Sequence, residues 1–286
     1  MSQYSHVTAP TRYVEADGIR YAYRWFGTDA GTPLLFLQHF RGGLDHWDPA
    51  VTDGLAVNRP VILFNNAGIA SSSGETPDTM DALADHAATF VNALGLAQVD
   101  VLGLSLGGGV AQALTLRHPD LVRRLIIVGF RPRAGEDEGT GPNIIEVATR
   151  HEVPTLEDFL YLFFEPSESS QAAGRAFWQR RHRRTMDLDP PTSQQTMKAQ
   201  LAAGMEWRER RGERYAELKR IAQPTLVVNG NHDVMVPTIN SYVLAQHLPN
   251  AELIVYPDSG HGALFQYPDL FVSHVARFLD TEPAFS

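Results

Sequence analysis

Apolar residues recur along the chain with two periods. Residues 12–26 alternate polar and apolar positions on either side of Asp17-Gly18, a pair suited to a two-residue turn, and predict a β-hairpin. Short, nearly unbroken apolar runs follow at 33–38, 60–65 ("PVILFN"), 99–104 ("VDVLGL") and 123–130 ("RRLIIVGF"), and each predicts a buried strand. Between them, 77–95 and 107–119 space their apolar residues as helices do. The first carries Asp in its opening turn and the second ends at Pro119. Strands alternating with helices predict a mostly parallel sheet covered on both faces.

From about Pro132 to Arg220 the strand pattern stops. Helical stretches are predicted near 143–151, 155–164, 169–184, 192–207 and 211–221, punctuated by Pro154, Pro166 and Pro190-Pro191. After Pro224 the alternation resumes, with a strand at 225–229, a helix at 237–248, a strand at 251–257 and a helix at 263–279. The simplest organisation is one α/β core, 1–131 and 222–286, with an all-helical segment, 132–221, inserted after about the sixth strand.

Composition narrows the function classes. The chain of 286 residues is 43% hydrophobic, enough for a large core, and carries a net charge of −9, which argues against a nucleic-acid surface. It has no cysteine, which removes disulfides, thiolate metal sites and thiol nucleophiles. The basic run "WQRRHRR" (178–184) reads, on so acidic a chain, as a solvated helix face paired with Asp187 and Asp189. The N-terminus lacks a signal-peptide pattern, and no apolar run approaches the ~20 residues of a membrane span. The expectation is a cytoplasmic protein without a membrane partner; oligomeric state leaves no mark in the sequence.

The candidate chemistry centres on Gly103-Leu104-Ser105-Leu106-Gly107, which follows a predicted strand and opens a predicted helix. A serine on so sharp a turn needs small residues two before and two after it, and the helix N-terminus favours negative charge at its oxygen. Such a nucleophile requires a base, and the base an orienting carboxylate. Asp233 lies just past the strand at 225–229. His261 lies in "DSGHG", past the strand at 251–257. Ser105, Asp233 and His261 therefore fall at the carboxyl ends of predicted strands, the edge where open α/β sheets place ligands. Competitors fit less well. His232 is a neighbour of Asp233 on one short loop, Asp258 reads as a turn cap, and the loop after the sixth strand has no carboxylate before Glu136.

With these motifs the sequence resembles the α/β-hydrolases across nearly its whole length, with a helical cap after the sixth strand. Gln38-His39-Phe40-Arg41-Gly42 matches the oxyanion loop of that family, with Gln38 in place of the usual His and His39 in place of the usual Gly. The resemblance implies that the backbone N–H groups of Phe40 and Leu106 form the oxyanion hole, and that no metal or organic cofactor is needed. His39 would then take the backbone conformation of a glycine, or the loop must find another geometry. Asn65-Asn66-Ala67-Gly68 is a second departure, since relatives usually have Asp where Asn65 stands. The pair "QHFRG" and "NNAG" resembles a subgroup of macrolide esterases linked to antibiotic resistance.

The resemblance implies a serine-dependent ester or lactone hydrolase. A general carboxylesterase, another lactonase, a C–C hydrolase and a perhydrolase share the same triad, and a small-molecule receptor with a vestigial triad is the rival outside catalysis. Aromatic residues in the insertion suggest a wide pocket for a large apolar ester or lactone. Its lining is expected from His39, His46, Trp47, Phe159, Phe163, Trp178 and Trp207.

Overall fold

A computed structural model describes residues 4–281. Its eight-stranded sheet has the order β1-β2-β4-β3-β5-β6-β7-β8. The strands are β1 Arg12–Ala16, β2 Ile19–Gly27, β3 Leu34–Leu37, β4 Pro60–Phe64, β5 Val99–Leu104, β6 Val122–Val128, β7 Thr225–Gly230 and β8 Ala251–Tyr256. β1 and β2 form the antiparallel hairpin, with positive φ at both Asp17 and Gly18, and β2 runs antiparallel to β4. The remaining pairs are parallel.

Helices cross over both faces. They are α1 Pro49–Ala56, α2 Met80–Ala93, α3 Leu106–Arg117, α8 Ile239–His247, α9 Ala263–Gln266 and α10 Pro268–Asp280. Alternation along β3 sorts the core into two clusters. Leu34 and Phe36 point to the face covered by α1 and α10, Leu35 and Leu37 to the face covered by α2 and α3. Between β6 and β7 the elements are helical: α4 Ile144–Thr149, α5 Leu156–Phe163, α6 Glu168–Arg181, α7 Gln194–Arg208 and a short 3₁₀ turn at Ala216–Arg220. Phe159, Phe163 and Phe177 of α5 and α6 join the first cluster, while Ala203 and Trp207 of α7 join the second. The inserted helices are thus packed into both halves of the core.

Three expectations change. The helix predicted over 211–221 shrinks to the 3₁₀ turn, because Gly212 and Tyr215 both take positive φ, at 71° and 63°. The helix predicted over 263–279 breaks at Tyr267, since Pro268 has no N–H to continue the ladder and disfavours helical angles in the residue before it. α1 was not anticipated, although Asp48 caps it by accepting from Ala50 N–H and Pro49 occupies its first position.

Candidate active site

β5 ends at Leu104 and α3 begins at Leu106, which leaves one residue, Ser105, to reverse direction. It does so at φ 54°, ψ −127°, far from any broad minimum for an L-residue. Its N–H donates to Val128 O at 2.8 Å, tying the turn to β6. The flanking glycines make the turn possible. A Cβ on Gly103 would lie 2.2 Å from Gly107 O, and a Cβ on Gly107 would lie 2.1 Å from Leu37 O. Any other residue at either position would push apart the backbone that holds Ser105.

Asp233 and His261 meet beyond the ends of β7 and β8. His261 Nδ1 lies 2.7 Å from Asp233 Oδ2. The other carboxylate oxygen accepts the N–H groups of Met235 and Val236, both at 2.9 Å, so the carboxylate cannot swing. Both side chains are fully buried. A carboxylate oxygen is an acceptor, so Nδ1 carries the proton and a neutral ring holds a lone pair on Nε2. That Nε2 is buried and has no hydrogen-bond partner among the described residues. The competitors sit elsewhere: His232 is 63% exposed and faces Glu165, Asp258 accepts from Ser169 Oγ, and Glu136 pairs with Arg214.

The loop after β3 departs from the sequence expectation. The strained residue is Arg41, at φ 59°, and His39 is not at positive φ. Gly42 N–H donates to His39 O at 2.9 Å, which makes 39–42 a turn with Arg41 third, the position that type II geometry puts at positive φ. Gln38 braces the loop from inside. Its Oε1 accepts from His39 N–H at 2.8 Å, and its Nε2 donates to Gly43 O at 3.1 Å. The N–H groups of Phe40 and Leu106 have no acceptor among the described residues, Leu106 because it opens α3.

The inserted helices grip this loop from above. Arg41 N–H donates to Gln200 Oε1 at 2.7 Å, Thr192 Oγ1 donates to Arg41 O, and the Arg41 guanidinium donates to the carbonyls of Ala148, His151 and Glu152. Asp189 is a further clamp. Its carboxylate accepts from Leu44 N–H at 2.8 Å, Asn65 Nδ2 at 2.7 Å and Ser71. This contact gives a physical reason for Asn65: an Asp there would set a second carboxylate against Asp189, whose own pKa burial already raises.

Ser105 opens into a cavity of about 30 Å³, room for about one water. His39, Phe40, His46, Phe159, Phe163 and Met235 line it. Trp47, Trp178 and Trp207 do not. Trp47 is buried edge-on against Phe36 at 4.9 Å, Trp207 lies under the Arg133 guanidinium, and Trp178 packs behind Phe159. The basic run is not a solvated face either. Arg184 is buried against Asp187 and the carbonyls of His6 and Val7, and Arg180 is paired with Asp48. Arg181 is buried over the rings of Phe159 and Trp178, at 4.6 and 4.7 Å. Sequence reasoning placed Arg41 in the loop without seeing its positive φ or its bonds to the insertion, and missed Arg181, Asp189, Gln200 and Met235 as parts of this region.

The comparisons agree with this architecture. Residues 32–268 match the family model described as alpha/beta hydrolase fold. A solved structure, an alpha/beta hydrolase fold protein from Chitinophaga pinensis, is 43% identical with a TM-score of 0.90, over 98% of this chain and 100% of that one. The pimeloyl-[acyl-carrier protein] methyl ester esterase of Nitrosomonas europaea is 34% identical over 60% of this chain and 68% of its own length. A 2-hydroxymuconate semialdehyde hydrolase of Pseudomonas is 28% identical over 87% of each chain. Fold, turn geometry and relatives converge, and the chain belongs to the α/β-hydrolase fold family.

Proposed function

We propose that this protein is a serine-dependent hydrolase of carboxylic esters or lactones that works through an acyl-enzyme. The reading is carried by a buried His261–Asp233 couple whose Nε2 has no partner among the described residues, with Ser105, on its strained turn, lining the cavity beside the Phe40 loop. In this mechanism His261 Nε2 takes the Ser105 proton as Oγ attacks the carbonyl carbon. The N–H groups of Phe40 and Leu106 hold the oxyanion, each contributing roughly 10²–10³ in rate. His261 returns the proton to the leaving alcohol, then takes one from the water that cleaves the acyl-serine. Asp233 fixes the tautomer and stabilises the imidazolium. The helical insertion acts as the cap over this chemistry.

The sharpest version of the reading is opening of a macrolide lactone ring, and its support is the pair of loops "QHFRG" and "NNAG". A ring of that size requires the wall of the cavity, to which α5 contributes Phe159 and Phe163, to move, because the present space holds about one water. A wider groove of about 600 Å³ on the far side of Leu162 gives such a substrate somewhere to extend. C–C bond hydrolysis is the second reading, favoured by the likeness to the 2-hydroxymuconate semialdehyde hydrolase.

A fluorophosphonate probe tests the core of the proposal. Adduct formation on Ser105, with loss of both labelling and ester turnover in Ser105→Ala, is the expected result. Ester hydrolysis that survives Ser105→Ala overturns it. Incubation with several macrolides, read by mass spectrometry for the addition of one water, decides the narrower version.

A further inference from the structure

His39 brings an unmet hydrogen-bond acceptor to the cavity over Ser105. Its Nδ1 lies 2.8 Å from the carbonyl oxygen of Phe40, which can only accept, so Nδ1 carries the ring proton. Burial pushes its pKa down to about 3, so the ring is neutral and Nε2 holds a lone pair. That Nε2 is fully buried and without a partner among the described residues.

His46 is set the opposite way. Its ring stands edge-on to His39 at 5.6 Å, and its Nδ1 accepts the N–H of Gly43 at 3.0 Å. Burial and the nearby Arg181 charge hold it neutral, so its proton sits on Nε2. Both rings line the cavity that Ser105 opens into. Phe159 stands between Arg181 and that cavity, so the guanidinium acts on the two histidines through space and adds to the burial that disfavours their protonation.

The cavity therefore presents one neutral acceptor and one neutral donor. A hydroxyl group donates to the first and accepts from the second. A carboxylate would set its lone pairs against His39 Nε2, and an ammonium would meet the field of Arg181. An alkyl group would leave the buried His39 Nε2 unpaired and give His46 Nε2–H nothing to donate to. We propose that His39 is a specificity-determining residue whose Nε2 accepts a hydrogen bond from a substrate hydroxyl close to the scissile carbonyl, with His46 Nε2–H donating to the same oxygen. The preferred substrates are then hydroxyacyl esters or lactones. This rests on the reading of Ser105 as an ester-cleaving nucleophile.

The test is a substrate series on the intact protein: ethyl butanoate, its 2- and 3-hydroxy derivatives, and the matching methoxy ethers. A methoxy oxygen can accept from His46 but cannot donate to His39. One hydroxy ester is expected to exceed both its parent and its ether in kcat/KM by roughly 10-fold or more. His39→Leu is expected to bring that ratio close to one, and His39→Gln, which keeps an acceptor, to retain part of it. Because the readout is a ratio within one variant, lost folding cannot imitate it. Equal kcat/KM across the series in the wild type, or a hydroxyl preference that survives His39→Leu, overturns the proposal. No Ser105-dependent turnover of any ester strikes the hydrolase reading itself and removes this inference with it.

Discussion

Two loops meet over the same cavity, and they are held in opposite ways. The Ser105 turn is built by backbone alone, from β5 and β6 on one side and the first turn of α3 on the other. Its strain is locked in by two glycines at which an added Cβ would lie only 2.2 and 2.1 Å from backbone oxygens, room for no larger residue. The Phe40 loop has the second strained residue of the site, Arg41, yet side chains from the inserted helices hold it. Strain persists only where the surroundings over-determine it. For Ser105 the surroundings are the sheet; for Arg41 they are Gln200, Thr192 and the carbonyls of Ala148, His151 and Glu152. In the proposed mechanism the nucleophile is thus preformed by the core, whereas the oxyanion donor at Phe40 depends on how the insertion is seated.

The comparison breaks most visibly at Gly107. Gly107→Val puts a branched side chain where a Cβ alone would already lie 2.1 Å from Leu37 O, so the turn must open. Ester turnover should fall by more than ~10³, as when a catalytic constellation is lost, and fluorophosphonate labelling should fail. Labelling at the wild-type rate would mean that the turn is not rigid. Arg41 gives the next effect. Arg41→Ala removes the guanidinium bonds to the insertion and leaves a residue with a Cβ at positive φ, while Arg41→Gly removes the same bonds and relieves the strain. Both should lower kcat by roughly 10²-fold, the scale of one oxyanion donor, and slow labelling without abolishing it, since the phosphonyl oxygen draws on the same donor. If Arg41→Gly keeps full kcat, the seat of the loop does not depend on the insertion.

What was legible in the sequence follows the same division. The Ser105 turn could be read because its requirements are local: a strand, two glycines at fixed offsets and a helix. Asp233 and His261 could be placed because each sits a few residues past a strand end, and the structure brings them to 2.7 Å of each other. The grip on the Phe40 loop was not legible. Arg41 and Gln200 are 159 residues apart, and no spacing rule connects them. The tryptophans failed for a related reason, since an aromatic residue announces burial but not the side it is buried on. Trp47 went into the core against Phe36, and Trp207 under Arg133. The charge run at 178–184 misled because Arg181 turns inward at the end of α6 and Arg184, past the helix, is buried against Asp187 and the carbonyls of His6 and Val7, while Arg183 stays exposed. α1 is the contrary case, because Asp48 and Pro49 are a local start signal and the helix could have been found.

Gln200 separates the tether from the strain. Gln200→Leu leaves the Arg41 N–H without an acceptor in a buried setting, at a cost of about 1–3 kcal/mol to the closed loop. A drop in kcat of roughly 10-fold, smaller than that of Arg41→Ala, is expected in a steady-state assay; an unchanged kcat would assign the grip to the guanidinium alone.

The smallest effect concerns acid, and it sets a histidine of the loop against one of the core. His39 and His6 are both held at about 3 by burial, against an ordinary value of 6.5. A histidine with a lowered folded pKa binds its proton first in the unfolded chain. Its contribution to stability is therefore intact above pH 6.5 and is lost as pH falls from there toward 3. Each such group costs about 0.8 kcal/mol at pH 6 and about 2 kcal/mol at pH 5. Urea unfolding of His39→Leu should show a stability that falls less with acid than the wild type by these amounts, whatever the variant's stability at pH 8. The His6→Leu variant should show the same relief if the Phe40 loop unfolds together with the core. If only His6→Leu gains it, the loop opens and protonates while the sheet stays folded, and the insertion's grip is weaker than the core that carries Ser105.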